Sequence, residues 1–427
     1  MPIIRHEDLL IIGGGLSGAS LIQELTRQVP KPPPGRQIRI LAVEKSGEFG
    51  GGIAYGKALP LEYLLNDQLR IMGTKDFESW LVRTRSRWLT ELKHHRSPAT
   101  AQWLRNHHSE ISVCDFSNLH IPRRVFGDFV REGLDQAIES APRSGFNIEL
   151  KKGEVTEITP ESDGFFRVKL KNSGLVRTSL IALTIGAPPR LRNTALSKFD
   201  GYIDDLYSGD LSHLTQGLKD LLARESVKNR RIVIMGGNTT AAEFIFFLRF
   251  SGLASLVSEV IVTTPRGALP PAAEGTKLPP YDPSHLRKVS QMSNPTANDL
   301  YRALEFEHKN GASLGYSVLD IVDYTLLDFR KGLNALPNDE QLCWVNEYGH
   351  KQQELVLRGP SEYSMAADQL RRESKLVLEK GKVTEIKPIG RAFSPGFDSR
   401  RIKNNRQMPM NPIATAPCVD GVVLLQN

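Results

Sequence analysis

The stretch DLLIIGGGLSGASLIQEL, Asp8–Leu25, changes character twice within a few residues. Leu9–Ile12 is an apolar run of strand length, and from Ser17 onward the apolar residues recur at helical intervals. Between them Gly13, Gly15 and Gly18 stand at the spacing G-x-G-x-x-G. The first glycine permits a tight turn, the second lets a pyrophosphate approach the backbone, and the third lets helix and strand pack closely. The helix from about Ser17, with Leu16 just before it, then offers unpaired N–H groups and its positive dipole end to phosphate. The proline-rich connector KPPPG (Lys31–Gly35) cannot be helix, and IRILAVEK returns as a second strand ending near Glu44, with Lys45 beside it. Strand, helix and strand make one βαβ unit, and an acid at that strand end suits ribose hydroxyls.

The pattern restarts at IVIMGGNTTAAEFIF, Ile232–Phe246, where Gly236 opens the turn but Asn238 replaces the middle glycine. Asparagine tolerates positive φ better than any residue except glycine, so the expectation is that Asn238 keeps the shape of the turn while its side chain crowds a pyrophosphate. Thr239 and Thr240 add hydroxyl donors at the helix start. The next strand ends in VTTPRG, with Thr263 and Thr264 where an NAD-selective fold places an acid; Arg266 follows, suited to a ribose 2′-phosphate. A weakened NADPH site, preferring NADPH over NADH, is expected. The chain therefore reads as α/β, with two dinucleotide-binding, Rossmann-like three-layer domains and an added helical segment. The expected division is 1–200 for the first domain, 201–350 for the second with the helical segment 296–335, and 351–427 for a return to the first domain and a divergent tail. GKVTEIKPIG (Gly381–Gly390) echoes GEVTEITPES (Gly153–Ser162), and both read as G-x-V-x-x-I strands.

Composition narrows the function classes. The 427 residues are 40% apolar and 24% charged, enough to bury two or three cores. Cys114, Cys343 and Cys418 stand far apart with no C-x-x-C, which argues against a dithiol relay, a disulfide scaffold or a structural zinc site. The net charge of +7 is scattered, and its densest run (Arg400, Arg401, Lys403, Arg406) reads as a solvated surface rather than a nucleic-acid footprint. The pairs His94–His95 and His107–His108 point apart on a helix, so no shared metal is expected. FIFFLRF (Phe244–Phe250) is too short to cross a bilayer. With no signal-like N-terminus, a cytoplasmic location and no membrane partner are expected.

A resemblance adds to this. EKSGEFGGGIAYG (Glu44–Gly56), LLND (Leu64–Asp67), DFESWL (Asp76–Leu81) and IPRRVFGDFV (Ile121–Val130) occur in order and resemble the FAD–NAD(P)-binding family of flavoproteins, related to the N-hydroxylating monooxygenases of lysine and ornithine. LTIGAPP (Leu183–Pro189), containing Gly186, is similar to the strand end at which such proteins pass between domains. GGNTTAAE (Gly236–Glu243) is similar to the glycine turn of their NADPH domain, and Trp344 and RGPSEY (Arg358–Tyr363) fall where the family has a tryptophan and a basic segment. The likeness covers about residues 8–390; the last forty residues depart from it and lack the second flavin-closing glycine segment. The resemblance implies that the first triplet with Glu44 holds FAD, and that Val155 reads the adenine through its backbone. It further implies that Gly51, Gly52 and Tyr55 run beside the flavin and that Asn66 is a polar, catalytic group near its reactive edge. Read without the resemblance, Tyr55 is a core aromatic and Asn66 a turn residue. Arg123 and Arg124 read equally as phosphate contacts or a solvated pair.

The implied cofactors are FAD and NADPH, and the implied reaction is oxygen activation followed by hydroxylation of a small amine nitrogen, on an amine or amino acid derivative. The helical segment 296–335 is a candidate pocket wall or plain packing. Two alternatives stand beside this reading: a flavin oxidase or dehydrogenase without oxygen insertion, and a non-catalytic FAD-binding partner protein. The sequence leaves the substrate and oligomeric state open.

Overall fold

The computed structural model describes residues 4–28, 32–33, 35–72, 75–172, 174–186, 201–203, 206, 211–276, 278–389, 392–403, 406–407 and 422–426. It divides into two compact units, Met1–Leu64 with Lys75–Arg105 and Ile121–Leu191, and Leu65–Thr74 with Asn106–His120 and Arg192–Asn427.

The first unit is built on a sheet of β1 (Ile4–Ile12), β2 (Ile38–Glu44), β3 (Phe146–Lys152), β4 (Val155–Pro160), β5 (Phe166–Leu170) and β6 (Gly174–Leu183), in the order β3-β2-β1-β6-β5-β4. β3, β2, β1 and β6 run parallel; β4 and β5 complete an antiparallel meander on β6. The register sets Leu9 opposite both Ile40 and Leu180. Leu10, Ile11, Leu41 and Ala42 are fully buried, the continuous apolar run of strands covered on both faces. α1 (Leu16–Gln28) buries Ala19 and Ile22. α2 (Gly52–Tyr55) is a single turn. α8 (Arg123–Ser140) buries Val125, Phe126, Val130 and Leu134 at helical spacing. Against it, Phe77 of α4 (Lys75–Arg83) packs 5.0 Å from Phe126 and 5.1 Å from Phe129. α5 (Arg85–His94) adds the buried Trp88 and Leu92.

The second unit carries the sheet β12-β11-β10-β9-β8-β13-β7, made of β7 (Tyr202–Ile203), β8 (Arg231–Met235), β9 (Glu259–Thr264), β10 (Leu376–Ile389), β11 (Ala392–Lys403), β12 (Arg406–Gln407) and β13 (Val422–Gln426). Its five strands β10, β9, β8, β13 and β7 are parallel. α9 (Leu211–Ala223), α10 (Thr239–Phe250) and α16 (Ser361–Arg372) belong to this unit. α10 is buried from Ala241 to Leu248, which is why FIFFL (Phe244–Leu248) is apolar all round, while Arg249 after it pairs with Glu373. The segment read as helical over 296–335 resolves into α12 (Ala297–Ser313) and α13 (Val318–Ala335), each opened by a capping box, Thr296/Asp299 and Ser317/Asp320. With α11 (Ser284–Val289) they enclose a core of Leu286, Val289, Leu300, Leu304 and Trp344.

The C-terminal stretch departs from the division expected of it. β10 extends the second sheet, with Leu376 opposite Val260 and Lys380 opposite Thr264, instead of returning to the first. The cause is local: α16 packs on α10, Tyr363 Oη donating to Glu243 at 3.0 Å, and delivers the chain beside β9. The tail after residue 407 falls largely outside the described residues, as does Cys418.

Candidate functional site

In the first unit the glycine turn is fixed by contacts that no side chain would allow. Gly13 has φ +104°, its N–H donates to Val43 O at 2.9 Å, and a Cβ there would lie 2.3 Å from Thr184 O. A Cβ at Gly18 would lie 2.2 Å from Gly13 O. These two glycines serve packing. Gly15 differs: a Cβ there would meet nothing nearer than Gly52 Cα at 3.4 Å, an ordinary contact. The turn thus brings Gly15 and Gly52 together, with Gly50 N donating to Gly14 O at 2.7 Å. Gly51 is packed equally tightly, since a Cβ would stand 2.7 Å from Gly56 Cα.

Glu44 closes β2 with its carboxylate turned back on the glycines. Oε2 accepts from Gly14 N at 2.8 Å, and Oε1 from the N–H and hydroxyl of Ser46, both at 2.9 Å. A carboxylate has about four lone-pair sites, so acceptor capacity remains for hydroxyl donors. Gly153 N donates to Glu44 O at 3.0 Å, which sets the start of β4 and the half-buried Val155 at the same sheet edge; the ladder shifts register between Val155 and Glu157. Leu16 and Ser17 form the first turn of α1, Ser17 exposed. Lys45 points outward and pairs with Glu154 at 2.8 Å. Tyr55 is half-buried, its ring edge-on to Phe126 at 5.0 Å. Gly186, at φ +73°, stands exposed past the end of β6. The paired arginines are neither a phosphate fork nor a solvated pair: Arg123 is buried and donates to Leu64 O at 2.8 Å, and Arg124 bridges Glu91 at 2.8 Å.

The second unit repeats the device with a difference. Gly236 has φ +105° and donates to Thr263 O at 2.8 Å, the counterpart of Gly13 on Val43. Asn238, aligned with Gly15, sits at φ −89° in extended backbone, so the positive φ that asparagine tolerates is not called for at this position. It is the N-cap of α10, its side chain accepting from Thr240 N at 3.0 Å. Thr239 donates its hydroxyl to Arg358 O at 2.9 Å, and Arg266 Nη2 donates to Gly237 O at 3.2 Å. The Thr239 hydroxyl and one Arg266 nitrogen are therefore engaged by the chain itself. Asn66 lies exposed in the loop before α3 (Leu69–Met72), between the buried Leu65 and Gln68. Next to it Asp67 pairs with Arg358, a contact across 291 positions that no local pattern announces. No group of three or more His, Cys, Asp or Glu among the described residues could hold a metal ion.

The first turn passes a test of fit for a dinucleotide. Gly15 is the glycine whose missing Cβ is not needed by the protein's own packing, and it lies where a pyrophosphate comes nearest the backbone.

Residues 10–188 match the family model described as FAD-NAD(P)-binding, so FAD and NAD(P) are the cofactor class of this segment. Uncharacterized proteins of Mycobacterium tuberculosis and Mycobacterium bovis are 24% identical over 399 residues, 89% of this chain and 73% of theirs. Among solved structures, a lysine monooxygenase of Nocardia farcinica is 14% identical with a TM-score of 0.43, over 98% of this chain and 80% of its own. An FAD-bound cadaverine monooxygenase of Erwinia amylovora is 12% identical with a TM-score of 0.47, over 99% and 78%. A cyclohexanone monooxygenase is 15% identical with a TM-score of 0.34; there the chain spans 63% of itself and 40% of that structure. No helix among the described residues is long and apolar enough to cross a membrane.

Proposed function

We propose that the chain is an FAD-dependent NAD(P)H oxidoreductase, and specifically a flavin monooxygenase that hydroxylates a small amine nitrogen. The observation that carries the flavin part is the first turn: two glycines required by packing, Gly15 left open, and Glu44 holding the turn with acceptor capacity to spare. The monooxygenase part rests on the ordered motifs from Glu44 to Val130. When bound, FAD would supply two-electron transfer and oxygen activation. The N–H groups of Leu16 and Ser17 would hold its pyrophosphate and Glu44 would orient the ribose. Val155 would contact the adenine through its backbone, while Gly51, Gly52 and Tyr55 would flank the ring system. Asn66 is assigned as the polar group at the reacting edge. Gly236, Thr239, Thr240 and Arg266 would hold NADPH, with Asn238 limiting how closely it approaches. With no C-x-x-C in the chain, electrons pass to oxygen or substrate without a dithiol relay.

The purified protein should be yellow, release FAD on denaturation and be reduced by NADPH faster than by NADH in stopped flow. Across an amine panel, one substrate should raise NADPH consumption and yield a hydroxylamine in place of peroxide. A protein that stays colourless in saturating FAD sinks the whole reading; reduction without any hydroxylated amine sinks only the monooxygenase part. A second reading has one observation behind it. Because Asn238, Thr239 and Arg266 all bond within the chain, a flavoprotein reduced by its own substrate, or a non-catalytic partner, would show no NADPH reduction at all.

A further inference from the structure

Arg358 is the point at which two distant stretches of the second unit are tied. Its side chain pairs with Asp67, and Nη1 donates to Val356 O at 2.8 Å. Its own carbonyl accepts the Thr239 hydroxyl at 2.9 Å. The next residue, Gly359, accepts from Ala273 N at 2.7 Å and donates to Pro271 O at 3.1 Å. Ala273 O in turn lies 3.2 Å from Nε2 of the buried His120, whose Nδ1 lies 2.9 Å from Leu65 O. The loop Leu65–Asp67 is thus held at both ends, by His120 and by Arg358, and both holds run into one short ladder, 271–273 on 359.

Arg358 is not placed there for stability alone. Its side chain is 11% exposed, and Nε is buried with no hydrogen-bond partner among the described residues. An orphaned buried donor is destabilising, and a packed apolar side chain would avoid that loss.

We infer that Arg358 is a positioning residue that couples the glycine turn Gly236–Thr240 to the Leu65–Asp67 loop. The inference rests on the reading that a nicotinamide dinucleotide binds that turn. Thr239 has one hydroxyl proton, which goes either to Arg358 O or to a phosphate oxygen. A phosphate that takes it releases Arg358 O, and the 358–359 segment and the Asp67 loop loosen together. Coupling of this kind is reciprocal, so weakening the Asp67 end makes Thr239 easier to recruit.

The test uses the full-length FAD-loaded protein, with NADP+ as the probe. Asp67 is partly exposed, which favours a folded Asp67→Asn variant where a change at buried Arg358 could unfold the chain. Asp67→Asn should tighten NADP+ binding by about threefold to tenfold, the range of a typical pairwise coupling. The gain should vanish in a Thr239→Val background, and Asp67→Glu should restore wild-type affinity. A structural role alone would lower the melting temperature without this non-additivity. Without ligand, Thr239→Val should speed hydrogen exchange at the Leu69 and Arg70 amides, which bond to Leu119 O and Ser117 O. Unchanged exchange there, or additive effects on NADP+ affinity, overturns the coupling. If wild type binds no NADP+ while the exchange effect is present, the coupling stands and only the dinucleotide reading falls.

Discussion

At Gly15 the protein's own packing and the proposed ligand make opposite demands on one hydrogen atom. Its φ is not positive, and a methyl group would touch only Gly52 Cα at 3.4 Å, so alanine fits the polypeptide. Gly18 is the reverse case, because a methyl group would stand 2.2 Å from Gly13 O and force α1 off the turn. Gly15→Ala should therefore melt within about 0.5–1 kcal/mol of wild type, the ordinary helix-region difference, yet lose FAD affinity more than about tenfold. Gly18→Ala should lose stability outright, by about 1–3 kcal/mol of overpacking. If Gly15→Ala keeps full flavin occupancy at limiting FAD, the pyrophosphate does not lie over this residue. Asn238 is the corresponding residue in the second unit. It needs no special backbone, and its work is to cap Thr240 N. Asn238→Gly loses only a few tenths of a kcal/mol of capping, frees that N–H and removes the bulk, so stopped-flow titration should show NADPH binding tighter.

Among the elements, α13 shows best what local sequence can and cannot disclose. Its start is legible: Ser317 followed by Asp320 and an apolar run is a capping box, and both arms form. What Asp320 does beyond that is invisible in the chain. It is 2% exposed and also accepts from Thr276 N and Oγ1, both at 2.8 Å, and from Arg70 at 3.3 Å, partners 44 and 250 positions away. Burial alone would raise its pKa, but the bonds from Thr276 and Ser317 hold the carboxyl below its ordinary value. The same contrast runs through both units. The strands and glycine turns follow from apolar runs and glycine spacing, whereas the engagement of Thr239 by Arg358 and the pairing of β10 with β9 depend on chain segments that meet only after folding. The capping role of Asn238 is hidden for a related reason: spacing aligns it with a glycine, and only the folded turn shows its side chain on Thr240 N. Asp320→Ala should cost about 3–5 kcal/mol, because it leaves Arg70 partly unpaired and two donors of Thr276 unmatched. Denaturant unfolding measures it, and a loss below about 1 kcal/mol would mean that Asp323, 2.7 Å from Arg70, takes over the pair.

For the molecule as a whole, acid is the condition that should weaken the second unit. His308 on α12 is buried, and its Nε2 has no hydrogen-bond partner among the described residues. Burial, helped by the charge of Arg358, pushes its imidazole down from 6.5 to about 4. Between those values the unfolded chain takes a proton that the folded chain refuses. The stability that neutral His308 contributes is complete above pH 6.5 and is lost as pH falls towards 4. The loss is on the order of 3 kcal/mol at its limit. Glu362 belongs to the same unit and adds to the effect only lower down. Burial opposes its ionisation, yet the bond from His107 keeps its carboxyl below the ordinary 4.5, so its contribution fades only as pH drops beneath that value. In the window from pH 6.5 to 4.5 His308 therefore acts ahead of Glu362. Hydrogen exchange at pH 7.5 and 5 should show α12 losing protection relative to α8 of the first unit. His308→Leu keeps the bulk, removes the orphaned nitrogen and should flatten the pH dependence of α12 in that window. General charge repulsion, which grows as the chain's +7 formal charge rises, acts on wild type and variant alike and cancels in the comparison. An α12 whose protection falls equally in His308→Leu would show that His308 is not the group that sets the acid limit of the second unit.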